Sequence, residues 1–281
     1  MDRPLTSEVQ PATTLRRRRS QRRPLRTAGA LLGDFLAPAV ALAVGFAFWE
    51  AWARGRDIPV YLVPPPSRVL ERLWGDPSFF VGQGLVTLYE ALVGLAFGGA
   101  AAVAIAVVMA HSRLAEKTLF PIAILIKVTP IVAVAPLFAI WFGFGLTPKV
   151  LIAALISFFP LLVNAITGFR SVNPDALAFL ASIHASPLAV FLKLRLPSSL
   201  PYLFAAVKVA LPLALIGAVV AEWFSASEGL GLVIFTANGE LDTPTLFAAV
   251  TVLAVMGVVL NVLVSLLERR VLFWYESFRS G

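Results

Sequence analysis

The sequence has no cysteine, two histidines and few charged residues. Without cysteine the chain forms no disulfide, no thiolate metal site and no cysteine nucleophile. The histidines, His111 and His184, are too few and too far apart to predict a zinc site. Charged residues make up 14% of the chain and hydrophobic residues 59%, whereas soluble domains have about 25% charged residues. A chain this short and this apolar cannot bury its apolar side chains in one core and still present a polar surface to water. The protein is therefore expected to lie in lipid.

Motifs for catalysis and nucleotide binding are also absent. The sequence contains no G-x-x-x-x-G-K-[ST] phosphate loop, no H-E-x-x-H, no G-x-S-x-G with an obvious acid and histidine, and no glycine-rich dinucleotide turn after a strand. We therefore expect that the chain is not an enzyme and holds no cofactor of its own.

Six apolar segments are each long enough to cross a membrane, which takes about 20 residues. Backbone groups in lipid must pair within their own segment, so the spans are predicted to be helices. They are residues 29–53, 84–110, 118–142, 149–170, 203–224 and 246–267. The first is too long for a typical signal-peptide core and is predicted to be a span. The sequence thus predicts an all-α, polytopic membrane protein with about six transmembrane helices.

Positive charge is unevenly distributed along this pattern. Eight of the 23 Lys and Arg residues precede the first span. With that end inside, sixteen lie on the cytoplasmic side and five, including Lys149, on the outer side, which predicts that both termini are cytoplasmic. A basic arm can also bind nucleic acid, but its position before a span favours a role in topology and contact with anionic lipid, and no nucleic-acid partner is expected.

The predicted organisation is a basic cytoplasmic tail at 1–28, a transmembrane domain at 29–275 and a cytoplasmic end at 276–281. The cytoplasmic loop 171–202 is unusual because its middle, DALAFLASIHASPLAVFLKLRLP, is apolar and has short helical stretches broken around His184. An apolar segment in the cytosol indicates a docking surface for a partner. The alternative is an amphipathic hairpin that lies on the lipid headgroups.

Several blocks of sequence resemble one family in the right order. ASPLAVFLKLRLPSSLPYLFAAVKVAL is similar to the cytoplasmic signature loop of binding-protein-dependent ABC importer permeases. TPIVAVAPLFAIWFGFGLTPKVLIAALISFFPLLVNAITGFRSVNPD at 129–175 resembles the third and fourth spans of the nitrate/sulfonate/taurine-type branch, whose relatives include pyrimidine and riboflavin permeases. AEW at 221–223, EGLGLVI at 228–234 and LLERRVLFW at 266–274 also fit, so the resemblance covers roughly residues 60–275.

The family's signature loop carries a Glu-Ala-Ala triplet, then a glycine, then a Leu-Pro pair. The triplet falls on residues 178–180, the glycine on His184 and the pair on residues 196–197, so the glutamate and glycine are both absent here. Asp175 is a nearby acid, and histidine is among the few non-glycine residues enriched at positive φ. The residues expected to couple to the ATPase are Asp175, Ala178, Leu180, Ile183, His184, Ala185, Ser186 and Leu188.

The resemblance implies a type I ABC importer permease fold in the bacterial inner membrane. It implies three protein partners: an ATP-binding ABC subunit that holds ATP and magnesium, an extracytoplasmic substrate-binding protein, and a second permease copy or close paralogue. It also implies transport of a small polar nutrient, either a sulfonate-, nitrate- or taurine-like anion or a pyrimidine- or riboflavin-like heterocycle. In this family the short helix of the loop enters a cleft on the ATPase and transmits its closure to the spans, and here this docking helix is expected over residues 178–190.

Charged and polar residues within spans are each candidates for function, because charge in lipid is costly. Lys208 and Glu222 are predicted to reach water near the ends of their spans. Glu90, Lys127 and Asn164 lie deeper and are the candidate substrate-pathway residues, although a structural ion pair or hydrogen bond between helices is the alternative. The rival function is a self-contained secondary transporter driven by protons through Glu90 and Lys127. Internal inverted repeats, common in such carriers, are not evident.

Overall fold

The computed structural model describes residues 28–225 and 227–273, with side chains from residue 36 onward. The described residues form eleven α-helices and one π-helical turn, and they contain no β-strand. The predicted basic tail and the C-terminal end from residue 274 lie outside these ranges. The helices are α1 Ala28–Gly55, α2 Pro66–Gly75, α3 Pro77–His111, α4 Arg113–Val128, α5 Ile131–Phe142, α6 Leu146–Arg170, α7 Pro174–Ser182, α8 Pro187–Val190, α9 Leu196–Ser225, α10 Leu230–Gly239 and α11 Thr243–Val271.

Five stretches of helix are long and apolar enough to cross a membrane. They are Leu36–Gly55, Pro77–His111, Leu146–Arg170, Pro187–Ser225 and Thr243–Val271. A sixth crossing is possible if α4 and α5 together make one span, although the pair is bent by 95°. The structure is therefore all-α and polytopic with up to six spans among the described residues, as the sequence predicts.

The bend between α4 and α5 corrects the prediction of one continuous helix over 118–142. Pro130 has no backbone N–H, and its ring disfavours helical backbone at the preceding residue. Thr129 accordingly has φ −66° and ψ 125°, which is extended, and its hydroxyl donates to the Leu125 carbonyl at 2.8 Å. Pro121 and Pro136 lie inside α4 and α5 without ending them. The proline between the two apolar runs thus divides the third predicted span.

The packed centre of the protein consists of α3, α6 and α9, with α6 against both of the others. Its buried side chains include many alanines, which allow helix backbones to approach closely in lipid. At two glycines the backbone of α6 comes especially close. A Cβ on Gly98 would lie 2.5 Å from the Ala154 carbonyl oxygen, and one on Gly217 would lie 2.7 Å from the Cα of Ala153. The contacts of α6 with α3 and α9 therefore depend on the absence of a side chain at these positions.

Two short helices complete this part of the fold, and neither was predicted. Helix α10 begins at Leu230, between the predicted spans 203–224 and 246–267, and it packs with α2, α3 and α11 through Val69, Phe80, Leu230 and Val233. Helix α2 has a polar face and an apolar face. Each has ten residues, about half of what a span requires, so a search for spans passes over both.

Helix α3 is capped by the loop that joins it to α2. The Asp76 carboxylate accepts a hydrogen bond from the Phe79 backbone N–H at 3.0 Å and another from the Ser78 hydroxyl at 2.9 Å. Both bonds favour the charged form, and together they lower the pKa of Asp76. Pro77 occupies the first helical position, where the missing N–H costs nothing. These features explain why α3 begins seven residues before the predicted start of its span at 84.

The chain divides into two compact units, Met1–Phe48 and Trp49–Gly281, and the boundary falls within α1. In the first unit, the described side chains of α1 are apolar and exposed, as expected of a helix in lipid. In the second unit, the last turns of α1 are held by polar contacts. Glu50 accepts from the Ser67 backbone N–H at 2.9 Å and pairs with Arg54 at 2.5 Å.

Helix continues further toward the loop 171–202 than predicted. The span assigned to 203–224 extends back to Pro187 as one helical stretch that includes α8, the π-helical turn Phe191–Arg195 and α9. The backbone N–H of Leu196 donates to the Phe191 carbonyl across this π-helical turn. Wider turns of this kind accommodate proline, and Pro197 follows directly. The segment that begins at Pro187 is thus joined to α9 by helical structure, which makes the connection stiff.

Candidate functional site

The candidate coupling element is the hairpin of α7 and α8, residues 173–190. Helix α7 begins at Pro174, and the Asn173 side chain accepts from the Asp175 backbone N–H at 2.8 Å. Helix α8 begins at Pro187, and the Ser186 hydroxyl accepts from the Ala189 N–H at 3.3 Å. Both starts combine a capping side chain with proline at the first helical position, which favours helix initiation. The prediction of a single docking helix over 178–190 is therefore corrected to two short helices.

The turn between these helices is centred on His184, as the sequence predicts. His184 has φ +55°, in the left-handed region. The His184 N–H donates to the Ala181 carbonyl and the Ala185 N–H to the Leu180 carbonyl, both at 3.0 Å. This pair of bonds is the Schellman motif, whose left-handed position is usually glycine. Histidine thus adopts here the conformation for which the family uses glycine.

The hairpin presents an apolar surface made mainly of three exposed side chains. Phe179 is 64% exposed, Ile183 58% and Leu188 66%. Among the other predicted coupling residues, Asp175, Ala178, His184 and Ser186 are exposed, while Leu180 and Ala185 are half-buried. All eight lie on the hairpin: seven lie between residues 175 and 186, and Leu188 lies in α8. We call Phe179, Ile183 and Leu188 the hairpin patch.

The hairpin is fixed to the membrane bundle at its base. The Phe191 ring contacts the rings of Phe169 and His111 at centroid distances of 5.6 and 6.2 Å. Arg195 donates to the Phe169 carbonyl at 3.3 Å. Nearby, Arg170 binds both carboxylate oxygens of Glu116 at 2.7 and 2.8 Å. A displacement of the hairpin would therefore pull on the ends of α3, α4 and α6 as well as on α9, because packed elements move as rigid bodies.

Glu90 has a different partner from the ones considered in the sequence. Its Oε1 accepts from the Lys149 ammonium at 2.5 Å, and both side chains are buried. Lys149 was assigned to an outer loop, but α6 begins at Leu146 and places it in the first turn of the helix. A cation there opposes the helix dipole, and this is the signal in the sequence from which an acidic partner could have been inferred.

The other two candidate pathway residues lie apart from Glu90. The ammonium of Lys127 lies 4.5 Å from the centroid of the Phe159 ring, and its side chain is otherwise exposed. Asn164 is half-buried and donates to the Pro160 carbonyl of its own helix at 2.8 Å. Lys127 thus lies on α4 and Asn164 on α6, and neither forms a hydrogen bond or an ion pair with Glu90.

Glu222 does not reach water as predicted for the end of its span, whereas Lys208 is only half-buried. Glu222 is fully buried, and Lys208 forms an ion pair with Glu268 on α11. The Glu222 carboxylate accepts from the Thr87 hydroxyl at 2.7 Å and from the Gly231 backbone N–H. Its burial follows from these bonds, because they replace the water that a carboxylate otherwise needs.

Three side chains from other helices cap α10, and no reading of the sequence found them. The backbone N–H groups of residues 229–231 donate in order to Gln83, Thr87 and Glu222. A Cβ on Gly231 would lie 2.6 Å from the Glu222 carboxylate, so glycine is required for its approach. Gly229 has φ +116°, a backbone that favours glycine. The signal available in the sequence is a glutamate in an apolar run, followed by a glycine-rich helix start without its own capping residue.

With this geometry established, the comparison with known proteins decides the family. Residues 94–273 match the family described as binding-protein-dependent transport system inner membrane component. This match covers more than half of the chain. The chain belongs to this family.

Curated relatives of this permease family agree with the assignment over most of their length. The chain is 37% identical to the riboflavin transport system permease protein RibX of Chloroflexus aurantiacus, over 85% of this chain and 90% of the relative. It is 30% identical to the formylaminopyrimidine transport permease protein ThiX of Halalkalibacterium halodurans, over 86% and 97%. It is 29% identical to the taurine transport system permease protein TauC of Escherichia coli, over 83% and 88%.

A solved structure shows the same fold. A chain of the MetNI methionine ABC transporter in an inward-facing conformation superimposes with a TM-score of 0.61 at 15% identity, covering 69% of this chain and 96% of that one. The chain thus has the ABC importer permease fold. It is a multi-pass membrane protein and the permease subunit of an ABC importer. The secondary-transporter alternative finds no support in these relatives.

Proposed function

We propose that the chain forms one half of the translocation path of an importer, paired with a second copy or a close paralogue. An ATP-binding subunit docks on the hairpin 173–190, and an extracytoplasmic binding protein delivers the substrate on the opposite side. ATP and magnesium are held by the partner subunit. The observation that carries the docking proposal is the hairpin patch, an apolar surface on a capped and firmly attached hairpin.

The transported substrate is a small polar nutrient. The relatives named above transport riboflavin, a formylaminopyrimidine and taurine, so both a heterocycle and a sulfonate-like anion belong to the range of this family. We place Lys127 and Asn164 along the substrate path, since Lys127 is exposed on α4 and contacts α6 through Phe159. Glu90 is buried and paired with Lys149, so it affects the substrate path only through α3 and α6, which this ion pair joins.

Both termini and the hairpin lie in the cytoplasm in this proposal. Lys149 is buried and should not be counted among the outer-loop charges. The excess of cytoplasmic over outer Lys and Arg residues is therefore larger than the count from the sequence. The cysteine-free chain offers a direct test with Ser182→Cys in the hairpin and Ser227→Cys beyond α9, both at exposed serines. A membrane-impermeant maleimide applied to spheroplasts is expected to label only the Ser227→Cys chain. Labelling of the Ser182→Cys chain alone would reverse the orientation.

Docking is tested by replacing Ile183 with Asp. Loss of a buried anchor at an interface hot spot costs about 2 kcal/mol or more, or roughly a thirtyfold loss of affinity. Because Ile183 is exposed in the free chain, the variant is expected to insert and fold normally while losing the ATP-binding subunit during co-purification.

Two further variants control this experiment. Leu241→Asp changes a similarly exposed side chain, 61% against 58%, in the turn between α10 and α11 at the opposite end of the bundle, and should retain the ATP-binding subunit. His184→Gly should also retain it, since glycine adopts the observed positive φ without strain. Full recovery of the ATP-binding subunit with the Ile183→Asp chain would show that the hairpin is not the docking element.

A further inference from the structure

Three charged side chains meet in the bundle centre, one from each of its main helices. Glu90 on α3, Lys149 on α6 and Glu222 on α9 are 2%, 6% and 0% exposed. Lys149 binds Glu90 at 2.5 Å. Thr87, which binds Glu222, lies three residues before Glu90 and therefore on the same face of α3. The site holds two carboxyl groups and one ammonium group.

Of the carboxylate oxygens in this cluster, one lacks a hydrogen-bond partner. Glu222 accepts from Thr87 and Gly231, and Glu90 Oε1 accepts from Lys149. Glu90 Oε2 is buried and has no hydrogen-bond partner. An unpaired carboxylate oxygen in the interior is costly, because it has given up water without replacement. The cluster therefore lacks one donor, and with both carboxyls ionised it also carries one uncompensated negative charge.

We propose that Glu90 and Glu222 form a proton-binding site, in which one proton is shared between Glu90 Oε2 and the Glu222 carboxyl. The proton supplies the missing donor and brings the charge of the three groups to zero. Two carboxylates at short range in a low dielectric cannot both stay ionised with only one cation beside them. The proton is taken up from water when the helices pack, and no bond other than the carboxyl O–H is formed.

A proton fits this gap better than a metal ion. The described residues contain no group of three or more His, Cys, Asp or Glu side chains that could hold a metal. Glu228, another acid close to the start of α10, is exposed and does not belong to the cluster, which therefore has two carboxyl groups. Glu222 also caps α10, so the protonation of this cluster is coupled to the position of that short helix.

Infrared spectroscopy on the purified full-length chain at neutral pH tests the proposal, since a protonated carboxyl has a C=O stretch distinct from that of a carboxylate and sensitive to D2O. The wild-type chain is expected to show about one equivalent of this band. Glu90→Gln and Glu222→Gln should each abolish it, because either leaves one carboxylate to pair with Lys149. Glu268→Gln is the matched control: its partner Lys208 makes a one-to-one ion pair, so the band should remain.

The set of variants that lose the infrared band distinguishes a proton shared by two carboxyls from one neutral acid. Persistence of the band in either Gln variant at the cluster, or its loss in Glu268→Gln, would overturn the proposal. If a variant does not fold, the wild-type chain still decides, because absence of the band there is incompatible with a held proton. A wild-type chain without the band, whose thermal stability rises with sodium or potassium at constant ionic strength, would assign the missing charge to a metal cation instead.

Discussion

Replacing Lys149 by Met is expected to destabilise the folded chain by about 3–5 kcal/mol, since removal of one partner leaves the other as an uncompensated buried charge. Lys149 and Glu90 are 8% and 3% exposed at the side chain, so water cannot hydrate the carboxylate that remains. The midpoint of thermal unfolding in detergent, followed by the loss of monodisperse protein, measures the change. The effect belongs to the folded bundle, so insertion into the membrane should be unaffected.

Lys208→Met is the matched control for this experiment. It removes the ammonium of a second ion pair between spans, but there the side chains are 28% and 27% exposed and water can partly hydrate Glu268. Its cost is expected to be about 1 kcal/mol or less. Glu90→Gln combined with Lys149→Met should recover much of the loss, because a buried ion pair is often replaceable by neutral groups of similar shape. Equal destabilisation by Lys149→Met and Lys208→Met would contradict the assigned role of burial.

The local features of the hairpin 173–190 could be predicted from the sequence. A turn at His184 follows from the resemblance, which places the family's glycine there, and histidine is among the few other residues enriched at positive φ; the observed φ of +55° agrees with it. The spans could also be located, since their length and composition are set by the thickness of the membrane. Both inferences use only residues close together in the chain.

The contacts between distant helices could not be predicted in the same way. The sequence places Glu90, Lys127 and Asn164 deep in their spans but gives no information on which helix faces meet. The actual partner of Glu90 lies 59 residues away, and Thr87 and Glu222 are 135 residues apart. Such pairs depend on the rotation of α3, α6 and α9 about their axes. That rotation is set by close contacts at small residues, of which Gly98 is the clearest case.

Gly98→Leu is expected to prevent the native packing of α3 on α6, with a loss of about 3 kcal/mol or more. The first added atom would already lie 2.5 Å from the Ala154 carbonyl oxygen and 3.0 Å from the Ala154 Cα. Both are backbone atoms within a helix, so neither can move aside as the end of a side chain could. The remaining atoms of leucine can fit only if the two helices separate.

The adjacent Gly99 provides a control at the same depth of the same helix. A Cβ there would meet only the Leu161 Cδ1 at 3.5 Å, an ordinary van der Waals contact with a mobile methyl group. Gly99→Leu removes the same glycine flexibility and adds the same apolar volume, so helix propensity and hydrophobicity cancel in the comparison. Thermal midpoints in detergent should fall sharply for Gly98→Leu and little for Gly99→Leu. Because α3 also carries Glu90 and Thr87, separation at Gly98 should disturb the ion pair and the α10 cap as well, whereas similar midpoints for the two variants would mean that this contact does not fix how α3 faces α6.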